Sequence, residues 1–297
     1  MLDSLCHQEH RYIMTAESPS GAVFRGTLTP RYTDQDTWRH VNNSRAYQLH
    51  IEARMQALVN RFGPDAWFSD AERLRPLRAI TQFREMSFYG SDIHFVVTLK
   101  GVDRERVQMR TELSQNDQLV GIQDVWLGAF LDHEPVPLPE PVYNSFRADV
   151  DAEPAALPDE GYSQYGADFS RFPVHKELTP RYADLDADSQ RSEAAIARYM
   201  EQARFGTLQN VDIGNLGLLI AALDITYGHY RPSSTPVELV TGVSHIGNTS
   251  FHLTGGAQSR HGVHAIANSV MVMVDLETNR PAPITDRIRE QLEKLRL

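Results

Sequence analysis

Apolar and polar positions along the chain fall into two successions of the same kind. Each begins with a stretch of rough alternation, "AVFRGTLTPRY" from Ala22 and "FPVHKELTPRY" from Phe172. Period two predicts a strand with one buried face. After a short acidic motif, apolar residues recur at helical spacing. They are Tyr47, Ile51, Leu58 and Phe62 in the first half, and Ile196, Met200 and Ala203 in the second, which predicts one core-facing helix in each. Gly63-Pro64 supplies a stop for the first helix. The remainder of each half is strand-like: "SDIHFVVTLKGV", "RVQMRTELSQ" and "LVGIQDVWLGAFL", answered by "PVELVTGVSHI", "SFHLTGGAQ" and "HAIANSVMVMVDL". Gln115-Asn116-Asp117 and Arg260-His261-Gly262 suit hairpin turns.

The two successions are copies. "RYTDQDTWRHVNNSRAYQLHIEAR" starts at Arg31 and "RYADLDADSQRSEAAIARYMEQAR" at Arg181, 150 residues on. The register holds without a gap: Asp34 with Asp184, Asp36 with Asp186, Arg54 with Arg204. Later, "DVWLGAFLDHEPVPLPEP" parallels "NSVMVMVDLETNRPAPIT", each an apolar run ending in a proline-rich tail. Pro135 to Pro173, rich in Pro, Asp, Glu and Gly, reads as a partly extended linker. The expected domains are 1–145 and 173–297, with a linker at 146–172. One long helix and a set of antiparallel strands predict an α+β layer. A single such layer leaves a sheet edge and apolar surface uncovered. Two copies in one polypeptide cover each other, so the expected architecture is an intrachain pseudo-dimer.

Composition agrees and narrows the partners. The chain has 297 residues, 41% hydrophobic and 23% charged, normal for a soluble globular protein. A net charge of -10 argues against nucleic acid or an anionic membrane as the main partner. Cys6 is the only cysteine, which rules out an intrachain disulfide and a Cys-based metal cage; its polar N-terminal setting argues against a catalytic thiol. The opening "MLDSLCHQEHRYIM" lacks the apolar core of a signal peptide, and the expected location is the cytoplasm. His7/His10 and His261/His264 lack a clustered ligand set, and "GYSQYG" at Gly161 has the wrong spacing for a nucleophile elbow.

The pattern Asp-x-Asp, His-Val-Asn-Asn, then a helix bearing Glu-Ala-Arg resembles the hotdog-fold thioesterases. This is the superfamily of 4-hydroxybenzoyl-CoA, acyl-CoA and acyl-ACP thioesterases. The match is Asp34 to Arg54 in the first half and "DLDADSQRSEAAIARYMEQAR" plus "VTGVSHIGNTSF" in the second. The resemblance implies a tandem hotdog, each half a long helix wrapped by an antiparallel sheet. It implies that Asp36 activates water or attacks the thioester carbon, while the helix N-terminus near Asn43 polarises the carbonyl. His40 and Asn43 would line the same pocket. Asp and Asn before a helix are also ordinary capping residues, and Asp34 reads better as a turn residue. Arg54 and Arg204 read as structural ion pairs across the halves.

The second copy departs from the pattern. Asp186 keeps the place of Asp36, but Gln190 replaces His40 and Glu193 replaces Asn43. Either this site has decayed, or Asp186 and Glu193 form an acidic pair with a raised pKa; decay is the preferred reading. The expected activity is hydrolysis of an acyl-CoA, with acyl-ACP as a second carrier and no cofactor beyond the CoA of the substrate. A hotdog hydratase or dehydratase and a non-catalytic acyl-thioester binder are the alternatives. A homodimer of double-hotdog chains is a further expectation from the family.

Overall fold

A computed structural model describes residues 22–63, 73–157, 168–186, 190–228 and 235–297. Cys6, His7, His10, Pro64 and the "GYSQYG" segment lie outside the described residues. The first half holds β1 (Val23–Leu28), α1 (Asn43–Phe62), β2 (Arg73–Phe83), β3 (Ile93–Val102), β4 (Arg106–Gln115), β5 (Gln118–Leu131), β6 (Glu134–Val136) and α2 (Glu140–Arg147). The second holds β7 (Val174–Leu178), α3 (Glu193–Leu208), β8 (Leu216–Tyr227), β9 (Val237–Ile246), β10 (Ser250–Ser259), β11 (Gly262–Asp275) and α4 (Asp286–Glu293). The expected α+β class is what the chain adopts.

The strands form one antiparallel sheet in the order β1-β3-β4-β5-β2-β8-β11-β10-β9-β7, with β6 beside β5. The order is palindromic about β2·β8. The Asn116-Asp117 turn joins β4 to β5 with both residues at positive φ, 51° and 62°, the geometry that a two-residue hairpin of the right twist needs. Arg260-His261 makes the corresponding turn between β10 and β11. Asp124 pairs with Ile80 on β2, and Asn268 pairs with Asp224 on β8. This fixes the sheet equivalences at 144 residues: Asp124 with Asn268, Ile80 with Asp224.

The helices lie on one face of the sheet and touch each other. Asn42, just before α1, bonds Glu201 in the middle of α3, while Glu193 at the start of α3 bonds Arg54 in the middle of α1. The helices therefore run antiparallel, each N-terminus against the middle of its counterpart. The buried residues of α1 are Ser44, Tyr47, His50, Ala53, Arg54, Ala57 and Leu58, shifted from the expected Tyr47-Ile51-Leu58-Phe62 stripe. Ile51 and Phe62 are only half-buried, and His50 and Arg54 take core positions. On α3, Ile196, Met200 and Ala203 are buried as expected.

β2 and β8, the strands that join the halves, are not evident in the sequence pattern. β2 carries three arginines and Pro76, and β8 is an apolar run that periodicity does not separate from a buried helix. Their register runs from Arg78↔Thr226 to Gln82↔Ala222. Across it Arg78 donates from Nε (2.9 Å) and Nη2 (2.6 Å) to the two oxygens of Asp224. The segment read as linker also holds structure. α2 lies within it, and its fully buried Phe146 packs edge-on against Phe62, ring centroids 5.4 Å apart. Arg61 near the end of α1 donates to Ser145 O (2.7 Å) and Asp149 Oδ2 (2.6 Å), fastening that segment to the helix.

Removing Asp224 takes from Arg78, which is 2% exposed, the carboxylate that accepts from both its Nε and its Nη2. Losing one member of a buried pair costs several kcal/mol, whereas exposed pairs contribute little. Asp224→Asn is expected to lower the free energy of unfolding in urea by about 2–4 kcal/mol. Breaking the more exposed β4·β5 pair Arg110–Asp124 with Arg110→Gln is expected to cost under about 1 kcal/mol. Equal losses would contradict the central role of the β2·β8 pair.

Candidate active site

In the first half, the acidic motif folds into a compact loop ahead of α1. Tyr32–Asp34 makes a 3-10 turn, closed by Asp34 accepting from the backbone N–H (2.8 Å), Nε (3.2 Å) and Nη2 (2.9 Å) of Arg31. Asp34 is 2% exposed and is held as a turn residue. The loop closes again through Gln35↔Val41 pairing and the Asp36 N–H bond to His40 O, 3.0 Å. This brings Asp36 and His40 together. Asp36 Oδ1 accepts from the Trp38 backbone N–H at 2.8 Å, and Oδ2 stands 3.2 Å from His40 Nδ1. His40 is buried, with its Nε2 sealed from solvent and without a hydrogen bond. Trp38 reaches over the second half: a Cβ added at Gly217 would come 2.7 Å from its ring.

α1 starts at Asn43, and the residue that caps it is Asn42. Asn42 Oδ1 accepts from the backbone N–H of Ser44 (2.8 Å) and Arg45 (3.3 Å) and from Ser44 Oγ (2.7 Å). Its Nδ2 donates to Glu201 Oε1 at 2.6 Å. The capping role open to Asn43 thus falls to its neighbour. The Asn43 backbone N–H has no partner among the described residues. It is a donor at the positive end of the helix dipole, suited to a developing negative charge.

The second half repeats the loop and fills its site with different contacts. Asp184 matches Asp34: it accepts from the Arg181 N–H (2.9 Å), from Arg198 Nη2 (3.1 Å) and from Tyr199 Oη (3.2 Å). Burial alone would raise its carboxyl pKa, and the Arg181 and Arg198 bonds outweigh that and hold it below the usual range. Asp186 accepts from the Gln190 N–H at 3.0 Å and pairs with Arg75 Nη1 of β2 at 2.8 Å. Gln190 Nε2 meets His133 Nδ1 at 2.8 Å. Glu193, first residue of α3, pairs with Arg54 and accepts from Tyr47 Oη at 3.2 Å, and Tyr47 Oη meets Tyr227 Oη at 2.5 Å. Asp186 and Glu193 each face a cation from the first half. The acidic-pair reading of the second site is therefore corrected: these carboxylates are separately neutralised.

Arg54 makes the expected ion pair across the halves, and Arg204 does not. Arg204 bonds Ser269 Oγ at 3.2 Å, within its own half. No group of three or more His, Cys, Asp or Glu among the described residues is placed to hold a metal, and no helix there is long and apolar enough to cross a membrane. A cavity of about 260 Å³ lies between the C-terminal end of α1 and the sheet, walled by Phe24, Ala57, Met109 and Phe146. Asp36, His40 and Asn43 do not line it.

An antiparallel sheet carrying two long helices on one face, with an acidic loop at each helix N-terminus, is the hotdog architecture. The likeness to solved structures spans most of the chain. A 12:0-ACP thioesterase from Umbellularia californica matches with a TM-score of 0.68 and 11% identity, over 84% of this chain and 94% of that one. A putative oleoyl thioesterase from Lactobacillus plantarum gives 0.70 and 9%, over 86% and 98%. An acyl-ACP thioesterase from Bacteroides thetaiotaomicron gives 0.60 and 13%, over 84% and 97%. Residues 181–292 match the model of the thioesterase-like superfamily. The chain has the hotdog fold, and the family match falls within its second half. That half carries the departures Gln190 and Glu193, so the match speaks for the fold rather than for the loop around Asp36. No curated protein matches the chain at a significant level.

His50 went unnoticed in the sequence because histidine on an apolar stripe carries no pattern of its own. It is fully buried on α1 with neither ring nitrogen hydrogen-bonded among the described residues, and a Cβ at Gly121 would come 2.8 Å from its Nε2. Burial, helped by the Arg54 charge, lowers its pKa from 6.5 to about 3. Between those values the unfolded chain takes up a proton that the folded chain refuses, so stability drops as pH falls, by about 1.4 kcal/mol per unit. Met200 holds the equivalent place on α3. His50→Met is expected to raise the unfolding free energy by about 1–3 kcal/mol at pH 7. In urea titrations the gain should widen between pH 6.5 and 5; a gain independent of pH would contradict this account of the ring.

Proposed function

We propose that the chain hydrolyses an acyl thioester at the first-half site, with an acyl-CoA as substrate and an acyl-ACP as the second candidate carrier. The observation that carries this reading is the contrast between the two carboxylates. Asp36 is oriented by a backbone amide and a histidine and faces no arginine within ion-pair distance among the described residues. Asp186 is committed to Arg75.

In this reading the thioester carbonyl oxygen sits at the Asn43 backbone N–H, where the helix dipole favours the charge that grows on it. Asp36 takes a proton from a water molecule as the water oxygen bonds to the carbonyl carbon. Collapse of the tetrahedral adduct breaks the C–S bond, and the departing sulfur takes up the proton. His40 touches no reacting atom: its Nδ1 fixes the Asp36 carboxylate and its Nε2 is sealed away, so it is a positioning residue. Water and these side chains suffice for the reaction, and no cofactor is needed beyond the carrier of the substrate. In the second half Glu193, Arg54, Tyr47 and Tyr227 occupy the helix N-terminus, and that half serves to complete the first.

The test is thiol release from acyl-CoAs and acyl-ACPs of varied chain length. Loss of a positioned general base typically costs 10²–10⁴-fold. Asp36→Asn is therefore expected to lower kcat about 10²–10⁴-fold with the fold intact by circular dichroism, and Asp186→Asn to have the smaller effect. Equal loss in both variants, or loss in neither, would overturn the assignment of the working half.

A further inference from the structure

Among the described residues five arginines are buried: Arg54, Arg75, Arg78, Arg191 and Arg204. Three are paired with carboxylates: Arg54 with Glu193, Arg75 with Asp186, Arg78 with Asp224. Arg191 places two N–H groups on the Thr235 carbonyl and the His264 ring. Arg204 has one hydrogen bond among the described residues, to the neutral Ser269 hydroxyl. It is 8% exposed, and burial pulls its pKa down to about 10, only partly offset by the Glu201 charge. Glu201 lies beyond ion-pair distance, and its Oε1 is already held by Asn42.

The internal duplication identifies what is missing. Arg54 and Arg204 are equivalent residues, 150 apart, as are Asn43 and Glu193. Arg54 crosses to the first residue of α3 and is neutralised by Glu193. By the repeat, Arg204 holds on α3 the place that Arg54 holds on α1, and the Asn42–Glu201 bond places the start of α1 within one turn of Arg204 along α3. There the chain has Asn43. The second half holds a carboxylate of its own at the helix N-terminus, and the first half leaves that position to a ligand. Ala197 and Phe83 stand where Tyr47 and Tyr227 complete the second cluster, so the first half also lacks the two hydroxyls that engage Glu193.

Resting on the thioesterase reading, we propose that Arg204 selects the substrate: the acyl group carries a second, terminal carboxylate, which pairs with this guanidinium while the thioester lies at Asn43 and Asp36. A permanently buried cation needs a ground-state anion, because an unpaired charge costs more than a paired one. Planar bidentate recognition of carboxylate is the geometry that arginine offers. The transient oxyanion of the reaction does not meet that need, since it is absent from the bound substrate.

The experiment compares kcat/KM for ω-carboxyacyl-CoAs (succinyl, glutaryl, adipyl, suberyl) with neutral acyl-CoAs of matched length, in the wild type and Arg204→Met. The expected ratio in the wild type favours the carboxylated series by at least about 10²-fold, the scale for a site whose buried polar group is left unpaired by the wrong substrate. Arg204→Met brings that ratio to within a few-fold of one. Hydrolysis of neutral acyl-CoAs with no preference for the carboxylated series overturns this proposal and leaves the thioesterase reading standing. Equal loss on both series in Arg204→Met also overturns it, as it would make Arg204 an oxyanion or structural group. No hydrolysis of either series, as CoA or as ACP thioesters, overturns both. A folding control separates the roles further. Asn43→Glu, which writes the second half's carboxylate into the first, is expected to raise Tm by pairing with Arg204. An unchanged or lower Tm would mean that Arg204 does not face the start of α1.

Discussion

The β2·β8 pairing is the constraint on which the rest of the molecule depends. It joins two half-sheets into one and sets the helices of the two halves side by side, each N-terminus against the middle of its counterpart. Four contacts of the two loops and the helix starts cross that seam. Trp38 lies over Gly217, Asp186 meets Arg75, Gln190 meets His133, and Glu193 meets Arg54. Neither loop is complete without strands or helix from the opposite half. This gives the duplication a physical reason: one copy would expose a sheet edge and leave its loop without a floor.

Once the halves are locked in this way, symmetry is no longer required of the sites. The same backbone loop is built twice, with Asp34 and Asp184 closing the 3-10 turns in the same manner. The side chains then diverge. The second half accumulates charge pairs and a tyrosine pair around its helix N-terminus, which is how buried polar groups become tolerable. Around the start of α1, costs remain among the described residues that packing would remove: the His40 Nε2 sealed without a partner, the Asn43 amide without an acceptor and, on α3 of the other half, Arg204 without a carboxylate. Such uncompensated groups, gathered near one end of one helix, are where a ligand has most to offer.

Much of this was legible in the sequence, and the boundaries of legibility are physical. The duplication, the two long helices and most of the strands come from spacing and alternation, and the family resemblance set Asp36 and His40 in one pocket. β2 and β8 escaped because a strand buried in the middle of a sheet need not alternate, and because Arg75 and Arg78 of β2 pair with carboxylates of the other half. α2 escaped because its anchor, Phe146, packs on a helix end that no local pattern reveals. Which asparagine caps α1 is not readable from the sequence, since Asn42 and Asn43 are the same residue type and only the bond to the Ser44 N–H tells them apart. The fate of Glu193 was not readable at all: its partner Arg54 is 139 residues away.

The central claim is that one chain has one working site, with the other helix N-terminus already occupied by Glu193. Calorimetric titration with a non-hydrolysable acyl-CoA thioether counts the sites directly. The account predicts one analogue bound per chain, with binding weakened by Asp36→Asn and not by Asp186→Asn. Two analogues bound per chain with similar affinity would contradict it.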